Sequence, residues 1–157
     1  MFTIGDKVVY PMHGAGIIQA IEEKEVLGET RAYFVMRIPY GNIQVMVPIK
    51  TYEQAGLRAV VEPEYFDKVM EALSAESTPM DDNWNRRLRD NNEKLKTGDP
   101  VQVAEVIRNL TRVEREKKLS AGEKKLLTTA RQILASEMVL VQDISEEEAM
   151  ERIDKAI

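Results

Sequence analysis

The chain contains no cysteine, which excludes disulfides, thiolate metal centres and cysteine nucleophiles. It has one histidine, His13, too few for a metal site built on several imidazoles. Aromatic residues make up 6% of the chain and include a single tryptophan, Trp84. No apolar run approaches the roughly 20 residues that a membrane helix needs. The opening Met1-Phe2-Thr3-Ile4-Gly5-Asp6 lacks the basic stretch and apolar core of a secretory leader, so no membrane role and a cytoplasmic location are expected. What is present, 43% hydrophobic and 31% charged residues in 157 positions, describes a globular protein of one or two domains.

The net charge of −5 argues at first against a nucleic-acid partner. It is unevenly distributed, however. Residues 1–72 sum to −3, residues 73–83 to −3, residues 84–131 to +6 and residues 132–157 to −5. A basic block with Trp84 at its edge therefore sits between acidic flanks, and a basic face on an acidic protein remains competent to bind a polyanion. The simplest account of such a block is a set of solvated helix faces, so further features are needed before it counts as a site.

The first sixty residues have the pattern of short strands. Lys7-Val8-Val9-Tyr10 is stopped by Pro11, and His13-Gly14-Ala15-Gly16 is a turn signal. Ala15 to Ile21, Ala32 to Ile38 and Ile43 to Val47 follow, punctuated by Leu27-Gly28-Glu29-Thr30, Tyr40-Gly41-Asn42 and Pro48. In the run to Ile38, alternation sets Tyr33, Val35 and Arg37 against Phe34, Met36 and Ile38. Four or five short strands with no crossover helix predict a mainly antiparallel small barrel or sandwich.

From residue 61 the period changes to helical. Phe66, Val69, Met70 and Leu73 share a face. Asp81 or Asp82 is placed to cap a second helix through Leu95, before Gly98. Asp99-Pro100 opens a third. Ser120-x-x-Glu123 and Ser145-x-x-Glu148 are capping-box patterns opening two more. The expectation is a two-domain α+β chain, with a small antiparallel β-barrel over residues 1–60 and a compact bundle of about five helices over residues 61–157.

No catalytic constellation emerges. His13 has no neighbouring nucleophile, and Gly14-x-Gly16 lacks the Lys and Ser/Thr of a phosphate loop. The acidic groups at 81–82 and 146–148 precede helices, where capping and the helix dipole account for them. No enzyme activity, metal or cofactor is expected.

One stretch has the character of a binding surface: Asn83-Trp84-Asn85-Arg86-Arg87-Leu88-Arg89. With Leu88 four residues on, Trp84 is as well placed to anchor its helix to the bundle as to project from it. In the second case an aromatic wedge stands beside Arg86, Arg87 and Arg89, side chains suited to pairing with phosphates, and such a wedge enters unstacked base steps. Gly122-Glu123-Lys124-Lys125 lies at a helix N-terminus, a second place where an anion is favoured.

The sequence closely resembles the CarD/CdnL family of bacterial transcription regulators. The likeness rests on Gly5-Asp6-Lys7-Val8-Val9-Tyr10-Pro11-Met12-His13-Gly14-Ala15-Gly16 and Val45-Met46-Val47-Pro48 in the strand-rich part. In the helical part it rests on Asn83-Trp84-Asn85-Arg86-Arg87, Lys94-Leu95-Lys96-Thr97-Gly98-Asp99, Val103-Ala104-Glu105-Val106-Ile107-Arg108 and Leu119-Ser120-Ala121-Gly122-Glu123-Lys124, continuing through Ala130-Arg131-Gln132-Ile133-Leu134. The strand-rich motif alone is also similar to the polymerase-interacting domain of the transcription-repair coupling factor.

The resemblance implies a Tudor-like N-terminal domain that binds the RNA polymerase β subunit through a sheet edge, with Lys24 and Met46 at polymerase-facing positions. Met46 departs from the arginine found in some members. It implies a helical domain that contacts promoter DNA at the upstream edge of the bubble, largely without reading sequence. Trp84 would be the wedge, Arg86, Arg87, Arg89 and Lys124 would lie near phosphates, and the outcome would be a stabilised open complex. A monomer is expected, with a strand-swapped dimer as the other possibility. An adaptor on polymerase with Trp84 in the core is the alternative to a direct DNA role.

Overall fold

A computed structural model describes residues 1–157. Strands β1 (Lys7–Tyr10), β2 (Gly14–Val26), β3 (Glu29–Ile38), β4 (Ile43–Pro48) and β5 (Arg58–Ala59) come first. Helices α1 (Tyr65–Ser74), α2 (Trp84–Lys96), α3 (Pro100–Glu116), α4 (Ala121–Gln142) and α5 (Glu146–Ala156) follow.

The strands form one antiparallel sheet in the order β4–β3–β2–β1–β5. The expected barrel is corrected here: β4 and β5 are free edges, and the sheet stays open. Side chains cover its apolar face instead of further strand pairing. Val8, Ile18, Phe34, Met36, Ile38 and Val47 are buried there with Leu57. Phe2 and Tyr52 close over Phe34 in edge-to-face contacts, with centroids 5.5 to 6.4 Å apart. Along β3, Phe34, Met36 and Ile38 point into this cluster, while Val35 on the opposite face is buried as well, so the middle of the strand is covered on both faces. Gly16 is required on steric grounds, since a Cβ there would lie 2.3 Å from the Arg37 carbonyl oxygen.

The helices enclose a separate core that includes Phe66, Leu73, Ile107, Leu110, Leu134 and Met138. Their ends follow the capping chemistry. Asp99 accepts from Val101 N–H ahead of Pro100, Ser120 and Glu123 form a complete capping box, and Ser145 accepts from Glu148 N–H.

Sheet and bundle are joined by specific bonds along α4. Ser136 Oγ accepts the Ala15 N–H at 2.8 Å and donates to the Ile133 carbonyl at 2.6 Å. Gly14, at φ +124°, has no room for a side chain, because a Cβ would meet Ser136 Oγ at 2.9 Å. Arg58 of β5 grips buried Glu137 with two bonds of 2.9 and 2.8 Å. The same guanidinium donates to the Gly98 carbonyl beyond α2, and Glu137 also accepts the Val61 N–H at 3.0 Å.

Candidate nucleic-acid interface

Asn83 rather than Asp81 or Asp82 caps α2. Its side chain accepts from the N–H groups of Asn85 and Arg86, while Asp81 accepts the Asn83 N–H. That cap makes Trp84 the first residue of the helix, where it is 48% exposed. The loop before it is fixed from α3. The buried Arg108 guanidinium donates to the Ala72 carbonyl and to Thr78 Oγ1, Asn109 donates to the same hydroxyl, and Arg112 holds the Ala75 carbonyl. Burial pushes the Arg108 pKa down, consistent with a guanidinium committed to structure.

Arg86 and Arg89 project to solvent. Their only ion pairs are loose, Arg86 to Asp81 at 4.0 Å and Arg89 to Asp90 at 3.9 Å, with arginine side chains 66% and 71% exposed. Exposed pairs of this kind contribute little, so both cations can exchange a carboxylate for another anion. Lys124, in the first turn of α4, is also exposed.

Arg87 is placed differently from its expected position at phosphates. It points inward, and its Nε and Nη2 donate to the two Glu123 oxygens at 2.6 and 2.9 Å, with the side chains 8% and 0% exposed. Glu123 accepts in addition from the backbone and hydroxyl of Ser120. The Arg87 hydrogen bonds, reinforced by Ser120 and partly opposed by burial, hold the Glu123 carboxyl below the usual carboxylate range. The Arg87 pKa is raised in turn, chiefly by its bond to Glu123. With its donors spent on an internal carboxylate, Arg87 is not presented to DNA; it ties the start of α2 to the start of α4.

The N-terminus of α4 is likewise not an open anion cradle. Glu123 already supplies the negative charge that this helix end favours. The missing side chain of Gly122 admits Leu88, whose Cδ2 would lie 3.0 Å from a Cβ. The two helix starts therefore touch, and a groove of about 520 Å³ opens beside them, lined among others by Leu88, Arg89, Lys125, Leu126 and Met12. Trp84, Arg86, Arg89 and Lys124 thus belong to two helix ends held side by side. Sequence reasoning missed Glu123 as the fastener, because its partner lies 36 residues away and no local pattern links them.

The other expected site residues lie on the sheet. Lys24 is exposed on β2 opposite Arg31, and Met46 is half-buried on β4 opposite Val35. Arg31 and Val35 alternate onto one face of β3, so Lys24 and Met46 share that face. The outer side of β4 is unpaired. His13 stacks on Tyr10, with ring centroids 4.2 Å apart, and its Nδ1 lies 3.1 Å from the Pro11 carbonyl oxygen. No three His, Cys, Asp or Glu side chains are grouped to hold a metal, and no helix is long and apolar enough to cross a membrane.

Residues 2–61 match the CarD-like/TRCF RID domain family, and residues 68–154 match the family described as CarD, C-terminal domain. The chain is similar to the putative transcription factor YdeB of Bacillus subtilis (strain 168), with 40% identity over 148 residues covering 94% of this chain and 97% of the relative. It is also similar to the 72-residue N-terminal domain of Myxococcus xanthus CarD solved by NMR, at 36% identity over 38% of this chain and 79% of that one, with a TM-score of 0.33. The motifs quoted from the sequence thus fall inside family matches that span both halves, and the chain belongs to the CarD family of transcription factors.

Proposed function

We propose that the sheet binds the RNA polymerase β subunit along the free edge of β4, with Lys24 and Met46 on the polymerase-facing side, and that the helical part contacts promoter DNA at the upstream edge of the transcription bubble. Trp84 acts as the wedge, Arg86, Arg89 and Lys124 lie against phosphates, and Arg87 acts indirectly by locking the two helix starts together. The observation that carries this reading is the exposure of Trp84 beside unencumbered cations. An adaptor with no DNA role would bury its one tryptophan in the bundle.

Strand addition at β4 supplies main-chain hydrogen bonds to the partner, and a half-buried methionine in place of a cation makes that contact more apolar. Three phosphate contacts give DNA affinity that is weak, salt-sensitive and nearly blind to sequence. Attachment to polymerase raises the local concentration of the helical face at the promoter, while the acidic remainder of the chain disfavours free duplex. A wedge that fits only an unstacked step stabilises the open state by its differential affinity, and about 1.4 kcal/mol of difference shifts that equilibrium tenfold.

Trp84→Ala tests the reading. Polymerase binding stays intact while open-complex lifetime, measured by challenge with a competitor, shortens severalfold. An unchanged lifetime refutes the wedge.

A further inference from the structure

The β2–β3 hairpin outruns its neighbours. β1 pairs with β2 no further than Ile17, and β4 pairs with β3 no further than Tyr33, yet β2 and β3 remain paired out to Val26 and Glu29. Beyond Tyr33 the hairpin continues as two strands without further strand pairing to either side, an arm flanked on its β3 side by the 3-10 turn Ile49–Thr51. Its tip is the two-residue loop Leu27-Gly28, with φ of 52° and 81°, the left-handed turn that matches the twist of paired strands.

A residue chosen for this turn alone would be asparagine or aspartate, since leucine in left-handed backbone sets its Cβ against the following carbonyl. Packing does not offset that strain, because Leu27 is 96% exposed. A single exposed apolar residue is ordinary. An exposed leucine in a backbone conformation that disfavours it serves neither the turn nor the core.

Resting on the polymerase reading above, we infer that Leu27 is an apolar anchor through which the arm docks into an apolar recess on RNA polymerase, separate from the pairing along β4. Lys24 lies on the same arm, three residues before the tip. The arm's remaining charges, Glu22, Glu23, Glu25 and Glu29 against Arg31, leave it net acidic, so the rim of the recess carries basic groups. The anchor gives the interface an energetic centre that a backbone-paired edge lacks.

The test compares wild type, Leu27→Asn and Leu27→Met for thermal unfolding and for binding to immobilised core RNA polymerase. Leu27→Asn relieves the turn and raises Tm by about 2–4 °C, yet weakens binding about tenfold or more through loss of apolar burial. Leu27→Met keeps binding within about threefold of wild type. Equal binding by wild type and Leu27→Asn overturns the anchor, and so does a fall in Tm for Leu27→Asn. If wild type itself fails to bind polymerase, the polymerase reading falls and the anchor with it. If Met46→Asp weakens binding and Leu27→Asn does not, the anchor alone falls.

Discussion

Replacing Arg87 by alanine should damage this protein more than replacing any of the exposed arginines, for a reason that acidification exposes. In the native protein the Glu123 carboxylate is fully buried and accepts two bonds from Arg87 and two from Ser120. Arg87→Ala removes the counter-charge and leaves an anion enclosed in the bundle, a change that costs about 3–5 kcal/mol. That is a large share of the roughly 5–15 kcal/mol by which domains are stable.

The wild-type pair gives a pH dependence of definite sign. Glu123 is depressed in the folded state, so its contribution is complete above the unfolded carboxylate pKa of about 4.3 and is lost as pH falls through the lower folded value. In Arg87→Ala the sign reverses, because the stranded carboxyl now binds a proton more readily than in the unfolded chain. Acidification from pH 7 towards 4.5 should therefore narrow the gap between variant and wild type. Urea unfolding at several pH values measures it. A loss below about 1 kcal/mol at pH 7, or a gap independent of pH, refutes the assignment of Arg87 as a buried fastener. The double variant Arg87→Met/Glu123→Met should recover most of the loss, since apolar pairs of similar volume often match a buried ion pair.

Gly14→Ala forces a side chain against Ser136 Oγ at φ +124° and should cost about 2 kcal/mol or more, visible as a lower urea midpoint. Arg58→Ala strands buried Glu137 between sheet and bundle. Because Arg58 itself is partly exposed, the loss should fall near or below the lower end of about 3–5 kcal/mol, and amide exchange should rise first at Val61 and Ala15. Lys124→Ala should weaken DNA binding equally across sequences and reduce the slope of log affinity against log salt by about one; a loss confined to one promoter contradicts it.

Local signals were legible in the chain and distant ones were not. Asp99-Pro100 and Ser120-x-x-Glu123 mark helix starts because capping acts within one turn, and both are caps in the structure. The sequence points to Asp81 or Asp82 as the cap of α2, yet Asn83 is the side chain that reaches the Asn85 and Arg86 N–H groups, because several capping residue types in a row do not reveal which one stands where the backbone turns into the helix. Four strands are marked by turns in the sequence, whereas β5 is two residues long, too short for an alternating pattern, and is held by pairing with β1 and by the Arg58 bonds to Glu137 and Gly98. Alternation fixes which face of a strand is apolar but not what covers it, and so a barrel was expected where Phe2, Tyr52 and Leu57 close an open sheet. Of the cationic positions, Arg86, Arg87 and Arg89 carry the same charge within four residues. Only the helical turn that buries Arg87 against Glu123, far along the chain, separates it from the two that face solvent.

The bonds at Ser136 and Glu137 give α4 a metric role. Lys124 and Ser136 lie a dozen residues apart on one uninterrupted helix, about 18 Å along its axis. One end of that span is riveted to the sheet and the other carries the exposed lysine, so the helix works as a calliper. Whatever holds the sheet fixes where Lys124 stands to within the stiffness of an α-helix, a reach that, on the DNA contact proposed above, equals about five base pairs of duplex at 3.4 Å each.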